Sequence, residues 1–372
     1  MRILVDYRPA LRERTGVGEY VHQLVRAYAA TYPGEVTVFT SSWKDRPPQG
    51  LSAELNAPVI DRRVPVRLLN LLWHRTAWPP AEVIAGRFDV VHAAHPLLIP
   101  ARRAAQVVTI HDLYFLSDPD RTSAEIRRDY VPLVRPHARR AHAVITSTAY
   151  GKGLISGSLG VPEERIYVCP PGAPTWRTLG QAPNAVPSGY LVFLGTLEPR
   201  KNVGALRDAY ERLLARMPAA RPLVMAGHAK ARAAERMARI EVPPLAGRVR
   251  HVGYVPDDER EALYAGACAL VLPSLDEGFG LPALEAMSAG VPVVASSRGA
   301  LPEVVGSAGT LIDPADVEGL TAALEQVISD GAFALACAEA GLMRARAFTW
   351  NSSAATLHRA YADAMERRRA DD

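Results

Sequence analysis

Glu277 and Glu285 stand eight residues apart in the stretch SLDEGFGLPALEAMSAGVPVVAS, residues 274–296. The apolar run at 270–272 predicts a strand just before it. Pro282 is tolerated in a first helical turn, and Gly290 with Pro292 marks that helix's end. Glu277 is therefore predicted in a strand-to-helix loop and Glu285 about one turn inside the helix. Gly278 and Gly280 permit close approach of the backbone, and the amides of Phe279, Gly280 and Leu281 at the helix start favour an anion. Two carboxylates flanking such a helix start can accept hydrogen bonds from sugar hydroxyls. Arg200 and Lys201, in GTLEPRKN at 195–202, place two cations in another strand-to-helix loop, beside a helix N-terminus that also favours phosphate. His111 and Asp112 follow the apolar run 107–110; His92 and His95 stand similarly beyond 90–91, so residue type alone does not choose between them. Gly16 and Gly18 lie between the first apolar run and a helical pattern, where the backbone can approach a ligand.

The elements that must position these residues are legible from length and periodicity. The 372 residues, 48% hydrophobic, suffice for two domains with their own cores and exclude a disordered chain. No run reaches the ~18 consecutive apolar residues of a membrane helix. MRILVDYRPA carries Asp6 in its first apolar run and reads as a strand, not a signal peptide. Cys169, Cys268 and Cys337 are scattered and form no CxxC pair, which argues against a disulfide framework or thiolate metal site and points to a reducing cytosol. Residues 1–172 hold 22 basic and 16 acidic groups; the remainder holds 21 and 23. The first half is thus expected to meet something anionic, with nucleic acid, a phospholipid surface and a phosphorylated substrate all open at this point.

Strands are predicted at 3–5, 36–39, 90–91, 107–110, 144–146 and 166–168, several separated by helical patterns, as in a parallel sheet with crossover helices. PPGAPTWRTLGQAPNAVPSG then interrupts the pattern with prolines and glycines and reads as a domain boundary. Alternation resumes with strands at 190–194, 223–226, 249–252, 270–272, 293–295 and 310–312, and helices near 202–217, 258–266, 282–289 and 317–329. The prediction is α/β: two doubly wound, Rossmann-like domains facing a cleft. Residues 1–172 form the first domain, 173–188 a linker, 189–348 the second domain and 349–372 a terminal helix. Ligands of such sheets bind beyond the carboxyl ends of the strands.

EGFGLPALE, with its spaced glutamates, resembles the signature of retaining glycosyltransferases of family 4, which have the GT-B fold. In the same order the chain shows TGVGEY at 15–20, TIHDL at 109–113, VCPPG at 168–172, GTLEPRKN at 195–202, VGYVPDDEREALY at 252–264, GVPVVAS at 290–296 and LPEVVG at 301–306. The resemblance implies that Arg200 and Lys201 hold the diphosphate of a nucleotide-sugar donor, and that Glu277 and Glu285 bind sugar and ribose hydroxyls. It selects His111 as the histidine facing the donor sugar, in a role of polar stabilisation rather than proton abstraction. It places Tyr254 and Val255 in the nucleobase loop, although a strand end packing into the core reads equally well. Gly16, Gly18, Phe279, Gly280 and Leu281 complete the implied donor set. Asp258 and Glu261 read as a helix-capping pair. His95 is left as a minor candidate for acceptor contact.

The implied reaction moves a hexose with retention of configuration to a hydroxyl of a glycan or lipid-linked glycan. GDP-mannose is the preferred donor by resemblance to bacterial mannosyltransferases, and a UDP-sugar is next. No metal or other cofactor is expected. A nucleotide-sugar epimerase or hydrolase of the same fold, or a non-catalytic nucleotide-sugar binder, are the alternatives. No GxGxxG follows the first strand, and no nucleic-acid-binding motif is present. Residues 62–78, RRVPVRLLNLLWHRTAW, surround leucines and tryptophans with Arg62, Arg63, Arg67 and Arg75. They fit either an amphipathic core helix or a segment lying on an anionic membrane. The expected location is therefore cytoplasmic, with a peripheral membrane site as an option. The terminal helix, with Ala354, Leu357, Tyr361 and Met365 on one stripe, is expected to pack back on the first domain, as the resembled fold does.

Overall fold

The computed structural model describes residues 1–11, 16–119, 122, 124–176, 189–229 and 239–371, with the side chains of Asp257, Asp258 and Arg239 set aside. Most of the expected linker (177–188), Thr15 of TGVGEY and the side chain of Asp258 therefore lie outside the described residues. Chain contacts divide the molecule into two units. One comprises Met1–Gly172 with Thr349–Asp372, and the other Ala173–Phe348.

Among the described residues the first unit holds seven strands: β1 (Ile3–Asp6), β2 (Val36–Thr40), β3 (Val59–Asp61), β4 (Val90–Ala93), β5 (Ala105–Thr109), β6 (Ala143–Thr146) and β7 (Ile166–Val168). They form one parallel sheet in the order β3-β2-β1-β4-β5-β6-β7. The chain builds outward from β1 in one direction and then returns to build from β4 in the other. The β1/β4 pair is thus the switch point, where a doubly wound sheet opens a crevice at its carboxyl edge. β1 and β4–β6 are buried along their whole length, as strands covered on both faces must be.

Each face of this sheet carries its own apolar cluster. One joins Ile3, Val5, Val38 and Val107 to the helix Val17–Thr31 and to Ala354, Leu357, Ala360, Tyr361 and Ala364 of the terminal helix Trp350–Ala370. The other joins Leu4, Val91 and Val108 to Leu69 and Trp73 of the helix Val66–Thr76 and to Val134 and Ala138 of the helix Ala124–Arg140. The terminal helix starts cleanly, with the Thr349 side chain capping the amide of Ser352. Its Tyr361 is buried, and the hydroxyl meets His92 Nδ1 at 2.8 Å.

The second unit repeats the plan with, among its described residues, six strands: β8 (Tyr190–Leu194), β9 (Leu223–Ala226), β10 (Val249–Gly253), β11 (Ala267–Leu272), β12 (Val293–Ser296) and β13 (Thr310–Ile312). Their order is β10-β9-β8-β11-β12-β13, all parallel, so the switch point falls between β8 and β11. The two strand-to-helix loops that the sequence singled out leave these two neighbouring strands. The helix Asp257–Ala265 begins after Pro256, whereas the sequence had read a capping pair at Asp258 and Glu261.

Candidate functional site

In the second unit the loop after β8 turns through Pro199–Lys201 into the helix Val203–Arg216, and the loop after β11 leads into the helix Leu281–Ser288. The main chain ties the loops together where Leu275 N–H donates to Arg200 O at 2.8 Å. Across that tie, Lys201 Nζ donates to Glu277 Oε1 at 2.6 Å, and Arg200 reaches Glu277 Oε2 at 3.4 Å and Asp276 O at 3.1 Å. Ser274 Oγ adds a 2.7 Å bond to Glu277 Oε1. Burial would raise the Glu277 pKa, but the charges of Lys201 and Arg200 and the bonds from Lys201 and Ser274 leave it below the ordinary glutamate value. The three groups assigned separately to phosphate and sugar therefore form one buried ion cluster at the switch point.

Glu285 lies on the helix as the spacing required, and its carboxylate is also paired. Arg260 NH1 donates to Oε1 at 2.6 Å and the Tyr264 hydroxyl to Oε2 at 2.8 Å. Neither partner was singled out from the sequence, because the carboxylate they hold belongs to another helix. The helix ends in a Schellman arrangement: Gly290 N–H bonds Met287 O at 3.1 Å and Val291 N–H bonds Ala286 O at 2.9 Å. At its start Gly280 has φ +94°, and a Cβ there would stand 2.5 Å from Leu301 Cδ2, so only glycine fits. Phe279 turns its ring into the core, edge-on to Phe348 at 5.7 Å, and Leu281 is partly buried against the same cluster. Val255 is a core residue too. Phe279 and Val255 thus have their main chain, not their side chains, to offer a ligand. Tyr254 is partly buried and stacks on His228 at 5.0 Å and 11°. His228, just beyond β9, was missed as a lone histidine at a strand end.

In the first unit, His111 follows β5 at the carboxyl edge. Its Nε2 is buried without a hydrogen-bond partner among the described residues. Burial pushes its pKa down to about 4, partly offset by Asp112 and a backbone bond at Ala94, so the ring is neutral near pH 7. Tyr20, from TGVGEY, lies edge-on to it at 5.1 Å and donates its hydroxyl to Cys169 O at 2.7 Å. Gly16 is the residue at which the helix Val17–Thr31 starts, and Gly18 is buried in its first turn. Asp112 accepts from Tyr114 N–H, which holds the loop rather than facing a ligand. His92 is bonded on both nitrogens, by Tyr361 and Thr109, and is absorbed in the core.

Within residues 62–78 the helix Val66–Thr76 buries Leu69 and Trp73 but leaves Leu68 48%, Leu71 50% and Trp78 55% exposed. Arg62, Arg63, Arg67 and Arg75 are exposed around them. The segment is therefore a core helix on one face and an apolar, basic surface on the other. No single helix among the described residues is long and apolar enough to cross a membrane.

Known proteins resemble this chain along its length. A family model described as "Glycosyl transferase 4-like domain" matches residues 15–172, and one described as "Glycosyl transferases group 1" matches 188–330. The O-antigen chain mannosyltransferase B of Escherichia coli is 29% identical over 97% of this chain and 99% of its own. The MMP alpha-(1->4)-mannosyltransferase of Mycolicibacterium hassiacum is 30% identical over 77% of this chain and 74% of its own. Among solved structures, the sucrose-phosphate synthase of Thermosynechococcus elongatus superposes with a TM-score of 0.73 at 20% identity, covering 97% of this chain and 98% of that one. WaaG, a glycosyltransferase involved in lipopolysaccharide biosynthesis, gives 0.71 at 19% identity over 96% and 98%. These structural likenesses establish the fold: two parallel-sheet α/β units of the GT-B class.

Proposed function

This chain belongs to the group 1, GT4-like glycosyltransferases, and from that membership we propose that it transfers mannose from GDP-mannose to a hydroxyl of a glycan or lipid-linked glycan with retention of anomeric configuration. The observation that carries the reading is the Arg200–Lys201–Glu277 cluster at the β8/β11 switch point. When a nucleoside diphosphate departs, negative charge builds on its phosphate oxygens, and two fixed cations held in a buried site stabilise it without a metal. Glu277 keeps both cations in place, and its remaining lone pairs can accept from a sugar hydroxyl. Glu285, fixed by Arg260 and Tyr264, does the same for the ribose. The stacked His228–Tyr254 pair offers a face to the base. Names of the relatives support mannose as the sugar, and one of them supports an O-antigen chain as the product class.

Retention fits front-face attack, in which the leaving phosphate oxygen takes the acceptor proton as the glycosidic bond forms. His111 then serves as a neutral polar group beside an oxocarbenium-like centre, because a charged imidazolium would repel it. The exposed Leu68, Leu71 and Trp78 among arginines support a peripheral anchorage on anionic lipid, where a lipid-linked acceptor would be found. The test is a thermal-shift panel with GDP-, UDP-, ADP- and dTDP-sugars, followed by NMR of the product's anomeric proton. A melting shift with GDP-mannose and an α-linked product support the reading. An inverted product, or turnover of donor with no acceptor requirement, overturns it.

A further inference from the structure

Hydrogen bonding alone does not fix the His111 ring. The bond at Ala94 raises the His111 pKa, so the ring donates it; Nε2 has no partner among the described residues, so Nδ1 is the donor and Nε2 keeps a bare lone pair. One bond at one nitrogen leaves an imidazole free to tilt about it, whereas a group that faces a reacting carbon must be held to a fraction of an ångström. Packing supplies the missing restraint. Tyr20, in the first turn of the helix Val17–Thr31, sets its ring at 85° to the imidazole with the centroids 5.1 Å apart.

Tyr20 is buried and is itself clamped from two sides. Its hydroxyl donates to Cys169 O at 2.7 Å, which fixes the far end of the ring, and the Trp350 ring lies 5.7 Å away at 59°. The two clamps are joined to each other. Ser353 Oγ, in the first turn of the terminal helix, donates to Pro170 O. Gly172 passes so close to that helix that a Cβ there would stand 2.5 Å from Trp350 Cδ1 and nearer still to the Trp350 backbone nitrogen. Only glycine lets the chain through. TGVGEY, TIHDL, VCPPG and the start of the terminal helix thus converge on one imidazole, all within the first unit. Burial holds the Tyr20 phenol well above its ordinary pKa, and its one proton is engaged by Cys169 O, so it is neither acid nor base for a reaction.

We propose that Tyr20 is a positioning residue for His111: its ring fixes the plane of the imidazole, and with it the direction of the bare Nε2, while Cys169 O and Trp350 keep that ring in place. That His111 serves the transfer rests on the reading above; that Tyr20 sets its plane does not. A leucine at position 20 fills part of the space but presents no flat ring. The imidazole then tilts, the Nδ1–H bond at Ala94 loosens, and the preference for one tautomer falls. The terminal helix therefore does more than cover the sheet, because its first residue, Trp350, supports the site from behind.

The experiment uses the full chain with 15N-labelled histidine, the His111 signals being those absent from His111→Ala. Ring 15N shifts report the tautomer, and steady-state kinetics gives kcat and donor KM for the same samples. Wild type should show the Nδ1–H tautomer. Tyr20→Phe keeps the ring, so it should keep that tautomer and a kcat within about threefold of wild type. Tyr20→Leu should move the shifts toward the mixed values of free histidine and lower kcat by about tenfold or more, with donor KM within about twofold. Placed in His111→Ala, Tyr20→Leu should change kcat by less than about twofold, since the effect has nothing left to act through. Trp350→Leu reads the same support where Tyr20→Leu does not fold. Unchanged ring signals in the folded leucine variant overturn the proposal, and so does an equal fall in kcat with and without His111. Should the wild type transfer no sugar, or His111→Ala transfer at the wild-type rate, while the leucine variant still disturbs the tautomer, the role given to His111 in transfer fails and its positioning by Tyr20 stands.

Discussion

Lys201 and Glu277 are 76 residues apart in sequence, yet the ammonium and the carboxylate meet at 2.6 Å inside the second unit. Parallel pairing of β8 with β11 makes this possible, since both loops leave the same edge of the sheet side by side. The pair is buried, so removing one member strands the other charge. Lys201→Ala should therefore lower stability by about 3–5 kcal/mol, beyond any loss of activity. Replacing both, Lys201→Met with Glu277→Leu, should recover most of that stability and none of the transfer, which separates folding from function in one comparison of melting and turnover. The Glu277 pKa is depressed in the folded chain, so its contribution is present above the ordinary glutamate value and is lost as pH falls through the lowered one.

The same pairing shows what was legible beforehand. Tyr190–Leu194, Leu223–Ala226 and Val317–Ser329 were readable to the residue, because turn residues bracket each apolar pattern. β3 was missed: Val59–Asp61 is three residues long, follows a proline and lies at the sheet's edge, so no pattern accumulates. The helix Gly331–Ala345 was missed because it opens on glycine and mixes small apolar residues around its circumference, leaving no period to read. Arg200, Lys201 and Glu277 were each visible as loop residues after strands. Their union was not, since it depends on which strands are neighbours, and strand order leaves no local trace. Arg260 and Tyr264 escaped for the same reason: the glutamate they hold comes from another element.

Histidines buried in neutral form make the first unit acid-sensitive. His92, bonded to Tyr361 and Thr109, is pushed down to about 3 chiefly by burial, despite the opposing charge of Asp6. Both this value and that of His111, about 4, lie below the unfolded histidine value near 6.5. As pH drops below that value the unfolded chain takes up protons that the native chain refuses, so stability falls until the folded pKa is reached. Each such group adds a slope of roughly 1.4 kcal/mol per pH unit. Urea unfolding between pH 7 and 4.5 should show this decline, and His92→Gln should flatten it by about one proton's worth. An unchanged slope would refute the assignment.

Gly299 shapes the Glu277 loop from outside it. Its φ is +68°, and a Cβ there would fall 2.8 Å from Glu277 N and 3.0 Å from Asp276 Oδ1. The neighbouring amide of Ala300 bonds Glu277 O at 3.1 Å, so any shift is passed to the glutamate. Gly299→Ala should cost about 1–3 kcal/mol in strain and lower transfer at least tenfold through a misplaced carboxylate. Gly157→Ala is the control. It lies in the helix Ala149–Leu159 with nothing within 4 Å of the added methyl. It should stabilise by about 0.5–1 kcal/mol and leave kcat/KM unchanged.

Residues 62–78 yield a prediction about lipid. Leu68, Leu71 and Trp78 are about half exposed, and Arg62, Arg63, Arg67 and Arg75 are exposed around them, although Arg62 already donates to Ile84 O at 2.6 Å. Near an anionic bilayer each arginine contributes on the order of 1 kcal/mol, so four together amount to roughly a thousandfold in partitioning. Wild-type chain should co-sediment with vesicles of phosphatidylglycerol and phosphatidylcholine, and release should follow rising salt as the Debye length shrinks. Replacing the four arginines with glutamine should abolish binding, whereas Leu71→Ser with Trp78→Ser should weaken it while leaving its salt dependence intact. The buried Leu69 and Trp73 hold the helix to the sheet in every variant, so melting temperatures should not move. Co-sedimentation that the glutamine variant retains in full would mean that this face only rims the core, and the anchorage would have to be abandoned.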